Sequence, residues 1–320
     1  MNNGNIALNR KTAGPLKHEN KWKEYKTQRD LFIMIIPCMI LTFIFSYWPL
    51  TGWIMAFEDF RPAKGYFGSP FVGLAQFEFL LKSPEFWKAF RNTVCMSILN
   101  LTFGTFFAIA FALLLNEITH ISFKRFVQTV SYMPHFLSWV IVCSLIANML
   151  ASDGMVNNLL MALGLIDKPI LWLGTPQYFW WINTFSTVWK ETGWNSIIYI
   201  AAMTSIDPAL YESCEIDGGS RYTKMWHITL PGIRNTIMVL LIMNIGWLLN
   251  ASFEVPYLLG NRGLVLDVSQ TIDIYVLKYG INIGNYSLAT AAGIFKSVIS
   301  IVLVAGANYM SGKIGEESLL

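Results

Sequence analysis

Charged residues are scarce in this sequence. Asp, Glu, Lys and Arg make up 13% of its 320 residues, about half the share of a soluble domain, while 54% of the residues are hydrophobic. A soluble core of this size cannot bury so many apolar side chains, which excludes an ordinary cytosolic enzyme and a disordered chain. The net charge of +3 is too small to indicate a nucleic-acid binder. The composition therefore predicts a polytopic membrane protein.

Motifs for catalysis and for metal binding are also missing. The sequence shows no motif that pairs a nucleophile with a base, and no GxxxxGK[ST] loop is present to bind ATP. No CxxC pair or Cys/His cluster occurs, so we expect no disulfide framework, no metal site and four cysteines that act as small buried hydrophobes: Cys38, Cys95, Cys143 and Cys214. The chain is expected to be a non-enzyme without a cofactor of its own, which takes its energy from a partner.

Six runs are long enough to cross the apolar core of a bilayer, which takes about 20 helical residues. They predict an all-α membrane protein with spans at about 30–57, 92–116, 127–150, 178–204, 233–256 and 287–311. The placement of Lys and Arg sets the orientation. Residues 1–29 carry seven Lys and Arg against two acidic residues. We therefore predict, in the cell membrane, a transmembrane domain over 30–311 between two cytoplasmic tails, 1–29 and 312–320.

The predicted cytoplasmic loop 205–232 is the most informative stretch. Asp207 is a good N-cap, and Pro208 suits the first position of a helix. Gly218 and Gly219 are natural helix stops. These signals predict a helix of about ten residues, which is too short and too acidic to cross a membrane.

A second short helix is expected after Ser220, running to about Ile228 before Pro231 and Gly232 break the chain. On the first helix, Glu212 and Glu215 form an acidic ridge. The hairpin is expected to expose four large side chains: Tyr211, Tyr222, Met225 and Trp226. Such a surface suits docking into another protein, and an amphipathic hairpin lying on the lipid headgroups is the alternative.

The order of residues in this loop resembles the signature of binding-protein-dependent ABC importer permeases, EAA-x3-G-x9-I-x-LP. Here it reads Glu212-Ser213-Cys214, then Gly218, Ile228, Leu230 and Pro231, with every spacing kept. Two small residues, Ser213 and Cys214, replace the usual alanines. The resemblance implies a type I ABC importer permease fold and a set of residues that couple to an ATPase: Glu212, Glu215, Asp217, Gly218, Ile228, Leu230 and Pro231.

Two stretches resemble the carbohydrate permeases of the maltose-permease type: residues 71–94 and the loop itself, including Asp217-Gly218. Within that family, the chain is most similar to the oligosaccharide and polysaccharide permeases of Gram-positive bacteria. The resemblance covers about residues 30–310. It implies a subunit that forms half of the translocation path of an ATP-driven oligosaccharide importer.

The same resemblance implies the partners. A second, related permease would complete the path, and two ATPase subunits holding ATP and Mg would dock on the loops, one of them on 207–230. An extracellular or lipid-anchored sugar-binding protein would deliver the sugar. ATP binding would push the docked loops together and turn the bundle from inward-facing to outward-facing. Membrane lipid is the remaining partner.

The fourth span carries Lys190 and Glu191 near its midpoint, where a charge costs on the order of 3 kcal/mol. Neighbouring residues on a helix point about 100° apart, so we do not expect these two to pair simply with each other. Trp194 and Asn195 share a broad face with them, and aromatic and hydrogen-bonding groups together suit a sugar. A structural ion pair with a neighbouring helix is the alternative. Resemblance to the family favours the cavity, and Lys190 favours an acidic sugar.

In the fifth span, the resemblance places sugar contacts at about Trp247–Ala251. Helical spacing puts Asn244, Trp247 and Ala251 on one face, and Asn250 lies three residues after Trp247. A lipid-interface anchor is the alternative for the tryptophan. Its position in the middle of the span argues against that.

Other classes of protein remain possible from the residues alone. An ion-coupled secondary transporter would use Glu191 or Glu254 as a proton site, but the signature loop argues against it. An intramembrane enzyme acting on lipid-linked sugars would need clustered carboxylates, which the acidic residues do not form. Within the ABC class, an amino-acid or peptide permease is the other candidate, and residues 71–94 argue for sugar.

Overall fold

The computed structural model describes residues 29–250, 253–260 and 263–314. Helices account for most of these residues, and no strand occurs among them, where β-type pairing is limited to a single bridge between Glu58 and Phe71. The prediction of an all-α protein is confirmed. The predicted tails 1–29 and 312–320 lie mostly outside the described residues, so the tail boundaries stay predictions.

The chain divides into two units, residues 1–52 and 53–320. The described part of the first unit is one apolar helical run that starts with α1 (Arg29–Thr42) and continues through a π-helical turn at Phe43–Tyr47. A 3-10 segment, Trp48–Phe57, leads into the second unit. Pro37 lies within α1, and no side chain of this helix is buried. An apolar helix whose described side chains are exposed is typical of one that contacts lipid or another protein.

The second unit contains the other helices. In chain order these are α2 (Gly65–Gly68), α3 (Ala75–Lys82), α4 (Pro84–Glu117), α5 (Ile121–Tyr132), α6 (Trp139–Met149), α7 (Met155–Ala162), α8 (Pro176–Met203), α9 (Pro208–Ile216), α10 (Arg221–Lys224), α11 (Leu230–Gly232), α12 (Arg234–Gly246), α13 (Glu254–Gly260), α14 (Leu266–Ser269), α15 (Ile272–Leu277) and α16 (Tyr286–Ile314).

Within the described residues, three helical runs are long and apolar enough to cross a membrane without interruption, and they match the predicted first, second and sixth spans: Arg29–Phe57, Pro84–Glu117 and Tyr286–Lys313. Two bent pairs of helices are also long and apolar enough when each pair is taken together, Ile121–Phe136 with Trp139–Met149 and Arg221–Gly232 with Arg234–Gly246. The predicted fourth span corresponds to α8, which is 28 residues long. This helix is long enough to span a membrane. Its mean hydropathy is lower than that of the three uninterrupted runs, because polar residues interrupt its middle.

The third span differs from the continuous helix predicted over 127–150. The chain bends by 101° between Ile121–Phe136 and Trp139–Met149. The first part ends in a 3-10 turn at Met133–Phe136 that contains Pro134. Ser138 then caps α6, with its hydroxyl accepting a hydrogen bond from the Ile141 amide at 3.4 Å. Proline and a new N-cap within five residues explain why one apolar run becomes two helices.

The second and fourth spans pack along each other as the centre of this unit. Near the 205–232 loop, Ala108 and Ala112 of α4 lie in one buried cluster with Tyr199 and Met203 of α8. Ile233, just before α12, completes the cluster. The small alanine side chains allow the two long helices to come close. This end of the unit therefore holds the loop on a rigid base.

The segments that follow the first and fifth predicted spans, which a cytoplasmic N-terminus would place outside the membrane, meet at the opposite end. The Asn92 amide donates to the carbonyl oxygens of Asp267 (2.9 Å) and Gln270 (3.0 Å). Glu85 accepts hydrogen bonds from Lys278 and from the Tyr279 hydroxyl. These bonds join the start of α4 to the segment after α13, so two predicted outer segments form one structure.

Candidate functional site

The 205–232 loop folds as the sequence predicts, starting with α9. The carboxylate of Asp207 accepts a hydrogen bond from the Ala209 amide at 2.9 Å, and Pro208 occupies the first helical position. Gly218 follows the helix with φ +76°, a left-handed conformation that other L-residues rarely adopt. A Cβ at Gly219 would lie 2.8 Å from the Cys214 carbonyl oxygen. Both glycines are therefore needed to turn the chain sharply after nine helical residues.

The second half of the hairpin continues further than predicted. Ser220 caps α10 by accepting a hydrogen bond from the Thr223 amide at 3.3 Å. Helical structure then runs through a π turn at Met225–Thr229 and through Pro231, and it breaks at Ile233 instead of ending near Ile228. The bend to α12 is 55°. Pro231 lies within this continuous run, directly after the π turn, and it has no amide hydrogen to donate to a preceding carbonyl.

Two side-chain contacts hold the hairpin closed. Lys224 donates a hydrogen bond to the Glu215 carboxylate, and the Tyr211 hydroxyl lies 3.0 Å from the Thr229 hydroxyl. The hydrogen bond and the charge of Lys224 lower the pKa of Glu215 below its ordinary value. Glu212, one turn away, is exposed and makes no ion pair within the described residues. The two acids of the predicted ridge therefore differ: Glu215 belongs to the hairpin, and Glu212 is free to contact a partner.

The exposed surface of the hairpin is apolar. Tyr222 is 75% exposed and Trp226 60% exposed, as predicted, and Ile216 and Leu210 add to this surface. The prediction was wrong for Tyr211 and Met225, which are half-buried. Among the other predicted coupling residues, Asp217 and Pro231 are exposed, while Ile228 and Leu230 are half-buried in the base of the hairpin.

A cavity of about 330 Å³ lies between α4, α8 and α12. It brings together four of the predicted substrate-path residues: Asn195, Asn244, Trp247 and Asn250. The cavity is also lined by polar residues of α4 that the sequence analysis missed, namely Ser97, Asn100 and Thr105. Their signal was a repeated occurrence of Ser, Thr and Asn within the apolar run that predicts the second span.

The lining has a buried hydroxyl and an exposed indole. The Ser97 Oγ is inaccessible to solvent and has no hydrogen-bond partner in the structure. Trp247, by contrast, is 69% exposed. A buried hydroxyl without a partner costs free energy, and because no solvent reaches Ser97 Oγ, the exposed polar groups for a ligand are other residues of the lining. The site therefore combines hydrogen-bonding groups with a flat aromatic surface.

The fifth span is not the continuous helix predicted over 233–256. Helix α12 ends at Gly246, with Trp247 as its C-cap, and helix resumes at Glu254. The backbone N–H of Asn250 donates to the backbone carbonyl oxygen of Trp247 at 2.9 Å in a tight turn. The predicted face of Asn244, Trp247 and Ala251 rested on a helix that stops too early, and Ala251 lies outside the described residues. The turn still carries both Trp247 and Asn250 to the cavity.

The other predicted substrate-path residues, Lys190, Glu191 and Trp194, contact the bend in the third span instead. Lys190 Nζ donates to the His135 carbonyl at 2.6 Å. Glu191 Oε2 lies 2.7 Å from His135 Nδ1, and the Trp194 ring stacks on the imidazole with centroids 4.3 Å apart. The alternative of a structural ion pair with a neighbouring helix thus has a visible partner. None of the three residues is among those that line the cavity in the described part of the chain.

Lys190 and Glu191 also contact each other, which the sequence analysis did not expect. Lys190 Nζ lies 3.2 Å from Glu191 Oε1. The two side chains leave the helix about 100° apart, but both are long and both bend toward His135. Glu191 contacts its imidazole and Lys190 contacts its carbonyl oxygen, which brings the two charges together. His135 itself was missed, since it was considered only as a metal ligand. The signal was its place next to Pro134, at a break in an apolar run.

A polar cavity between long apolar helices, with an exposed hairpin at the other end of α12, is typical of a transport subunit in a membrane. Residues 101–315 match the family described as the binding-protein-dependent transport system inner membrane component. The chain is similar to protein LplB of Bacillus subtilis, at 40% identity over 92% of each chain. It is also similar to the polygalacturonan/rhamnogalacturonan transport system permease protein YteP of the same organism, at 42% identity over 91% of this chain and 90% of that protein.

A solved structure has the same fold. It is the crystal structure of a bacterial alginate ABC transporter in complex with an alginate pentasaccharide-bound periplasmic protein. The match has a TM-score of 0.84 and 38% identity, and it covers 93% of this chain and 99% of that chain. The protein belongs to the family of inner membrane components of binding-protein-dependent transport systems. It is a permease subunit of an ABC importer, with the type I fold, embedded in the membrane.

Proposed function

We propose that this permease subunit imports oligosaccharides, with the cavity between α4, α8 and α12 as its half of the translocation path. The observation that carries the proposal is the lining: the exposed indole of Trp247 beside the amides of Asn195, Asn244 and Asn250. An aromatic surface matches the CH face of a pyranose, and amides match its hydroxyl groups. The names of YteP and of the alginate transporter, both for polysaccharide systems, point to the same chemistry.

The proposed partners follow from the family and from the two ends of the unit. A second, related permease would close the open side of the cavity. Two ATPase subunits would carry ATP and Mg, since this chain contains no phosphate-binding loop. A binding protein would deliver the sugar to the segments around Glu85 and Asp267, which we place outside the membrane. Both chain termini would then be cytoplasmic.

The hairpin would couple the path to one ATPase. Tyr222, Trp226 and Ile216 form an exposed apolar surface, and Glu212 adds a free charge beside it. Asp217 and Gly218 shape the turn, while Ile228, Leu230 and Pro231 connect the hairpin to α12, whose other end reaches the cavity. Force on the hairpin would therefore reach Asn244 and Trp247 through one helix. This favours docking to a protein over the alternative of lying on headgroups.

Sugar uptake by the assembled transporter tests the proposal. The complex would be reconstituted in proteoliposomes with its binding protein, and ATP-dependent uptake of labelled oligosaccharides would be measured. We expect Trp247→Ala to lower kcat/KM for uptake at least tenfold while the complex still assembles. Trp181→Ala is the matched control, because Trp181 is also an exposed tryptophan but does not line the cavity. Equal effects of the two substitutions would contradict the assignment of the path.

A further inference from the structure

Charge is missing from the wall of the cavity. Among the described residues that line it, the polar ones are amides, hydroxyls and one indole, and none is Lys, Arg, His, Asp or Glu. Residues 251 and 252, which follow Asn250 in the sequence and lie outside the described part, are Ala and Ser. A charged sugar would find hydrogen-bond donors on this wall but no counter-ion.

Lys190 is the cation that the sequence analysis predicted beside the sugar, and its ammonium group already has partners within the protein. Its side chain is only 5% exposed. The ammonium is held by the His135 carbonyl at 2.6 Å and by Glu191 at 3.2 Å, and it lies 5.0 Å from the centroid of the Trp139 ring. These contacts neutralise its charge and satisfy its hydrogen bonds. A uronate would have to displace all of them to reach the ammonium.

We propose that this permease subunit does not discriminate between oligosaccharides by their charge. The inference rests on the proposed function, since it concerns the same cavity. Its wall recognises hydroxyl groups and sugar faces through uncharged side chains, whereas Lys190 and Glu191 position the bend between α5 and α6. Any preference for acidic over neutral sugar then comes from the binding protein or from the second permease. This reverses the expectation that Lys190 favours an acidic sugar.

A charge-neutral double variant tests the role of Lys190. The variant Lys190→Gln/Glu191→Gln removes both charges and keeps side chains that can hydrogen-bond to His135. The assembled transporter would be given oligogalacturonides of one length, either free or partly methyl-esterified, so that only charge differs. We expect the ratio of kcat/KM for the more charged to the less charged oligomer to stay within about twofold of the wild type, whatever the total uptake. A selective loss of tenfold or more for the charged oligomer would overturn the proposal.

A gain of charge in the wall gives a second, independent readout. Asn244→Lys is expected to raise the same ratio at least fivefold, and Asn244→Asp to lower it, because each places an unpaired charge in an uncharged wall. Asn158→Lys is the control, since Asn158 lies on α7 and does not line the cavity. An unchanged ratio in both Asn244 variants would show that the sugar does not contact this wall, and would overturn the proposal that the uncharged side chains of the wall recognise it. Wild-type transporter that takes up no oligosaccharide would instead refute the proposed function.

Discussion

The ammonium of Lys190 donates to the carbonyl oxygen of His135 across a distance of 2.6 Å. The two residues are 55 positions apart in the sequence and belong to different spans. His135 sits in the 3-10 turn where the third span bends, so its carbonyl is released from the regular helical pattern. Lys190 supplies the missing donor, and Glu191 binds the imidazole of the same residue. One pair of charges thus fixes the bend against α8.

Removing one member of this group is expected to destabilise the bundle. Glu191→Ala leaves Lys190 without its carboxylate in a site that is largely closed to water, at a cost of about 3–5 kcal/mol. Thermal unfolding of the purified complex measures the loss. Glu191→Gln is the control, since it keeps a group that can hydrogen-bond to His135. A normal melting temperature for the alanine variant, together with lost uptake, would return Glu191 to the substrate path.

Close packing of α8 against α5 depends on Gly193. A Cβ at this position would lie 2.1 Å from the Ser131 carbonyl oxygen, a backbone atom that cannot move without shifting α5. We expect Gly193→Ala to destabilise the bundle by about 1–3 kcal/mol or more. Gly306→Ala on α16 meets no atom within 4 Å and serves as the control. Equal melting temperatures for both variants would show that α5 is free to move away.

The left-handed backbone of Gly218 predicts a substitution pattern based on conformation alone. No atom lies within 4 Å of a Cβ there, so the penalty comes from φ +76° and not from a clash. Gly218→Val should cost at least about 1 kcal/mol and weaken copurification of the ATPase, whereas Gly218→Asn should retain it, because asparagine tolerates this conformation. Normal ATPase stoichiometry with valine would contradict the docking role of the turn.

Substitutions of the two acidic residues of α9 are expected to have different effects. Glu212 has no ion pair in the described structure, so Glu212→Ala should abolish ATP-driven uptake while the protein stays folded in the membrane. Glu215→Ala frees Lys224 and opens the hairpin, so it should increase protease cleavage near Gly218. Uptake and limited proteolysis of both variants distinguish these effects. Wild-type uptake by Glu212→Ala would refute its contact with the ATPase.

The hairpin is also expected to respond to pH through Glu215. Its hydrogen bond from Lys224, and then the charge of Lys224, lower the pKa of the carboxyl below 4.5. A depressed pKa means that the stabilisation is complete above the unfolded value, about 4.3, and is lost as pH falls through the folded value. We therefore expect the hairpin to be unaffected between pH 5 and 7. Carbon NMR of labelled glutamate, with Glu215→Gln to assign the signal, should show a midpoint below that of an unperturbed glutamate; a midpoint at or above the unperturbed value would contradict the ion pair.

The sequence by itself determined the class of the protein and the local form of the hairpin. Apolar runs longer than a bilayer core allow few structures except spanning helices, because backbone groups in lipid must bond internally. Asp207, Gly218 and Ser220 act on backbone groups within three residues of themselves, so their caps and turns follow directly from the sequence. The limits of α9 were predictable for the same reason.

The tertiary structure alone decided which polar residues share a site. Lys190 and Asn195 are five residues apart on one helix, yet one packs against the bend at His135 and the other lines the cavity. The bend and the early end of α12 at Gly246 redirect whole faces of neighbouring helices, and spacing along a single helix contains no information about them. A buried charge takes the partner that packing places within hydrogen-bond distance. For Lys190 that partner comes from another span, because only the folded bundle brings His135 to it.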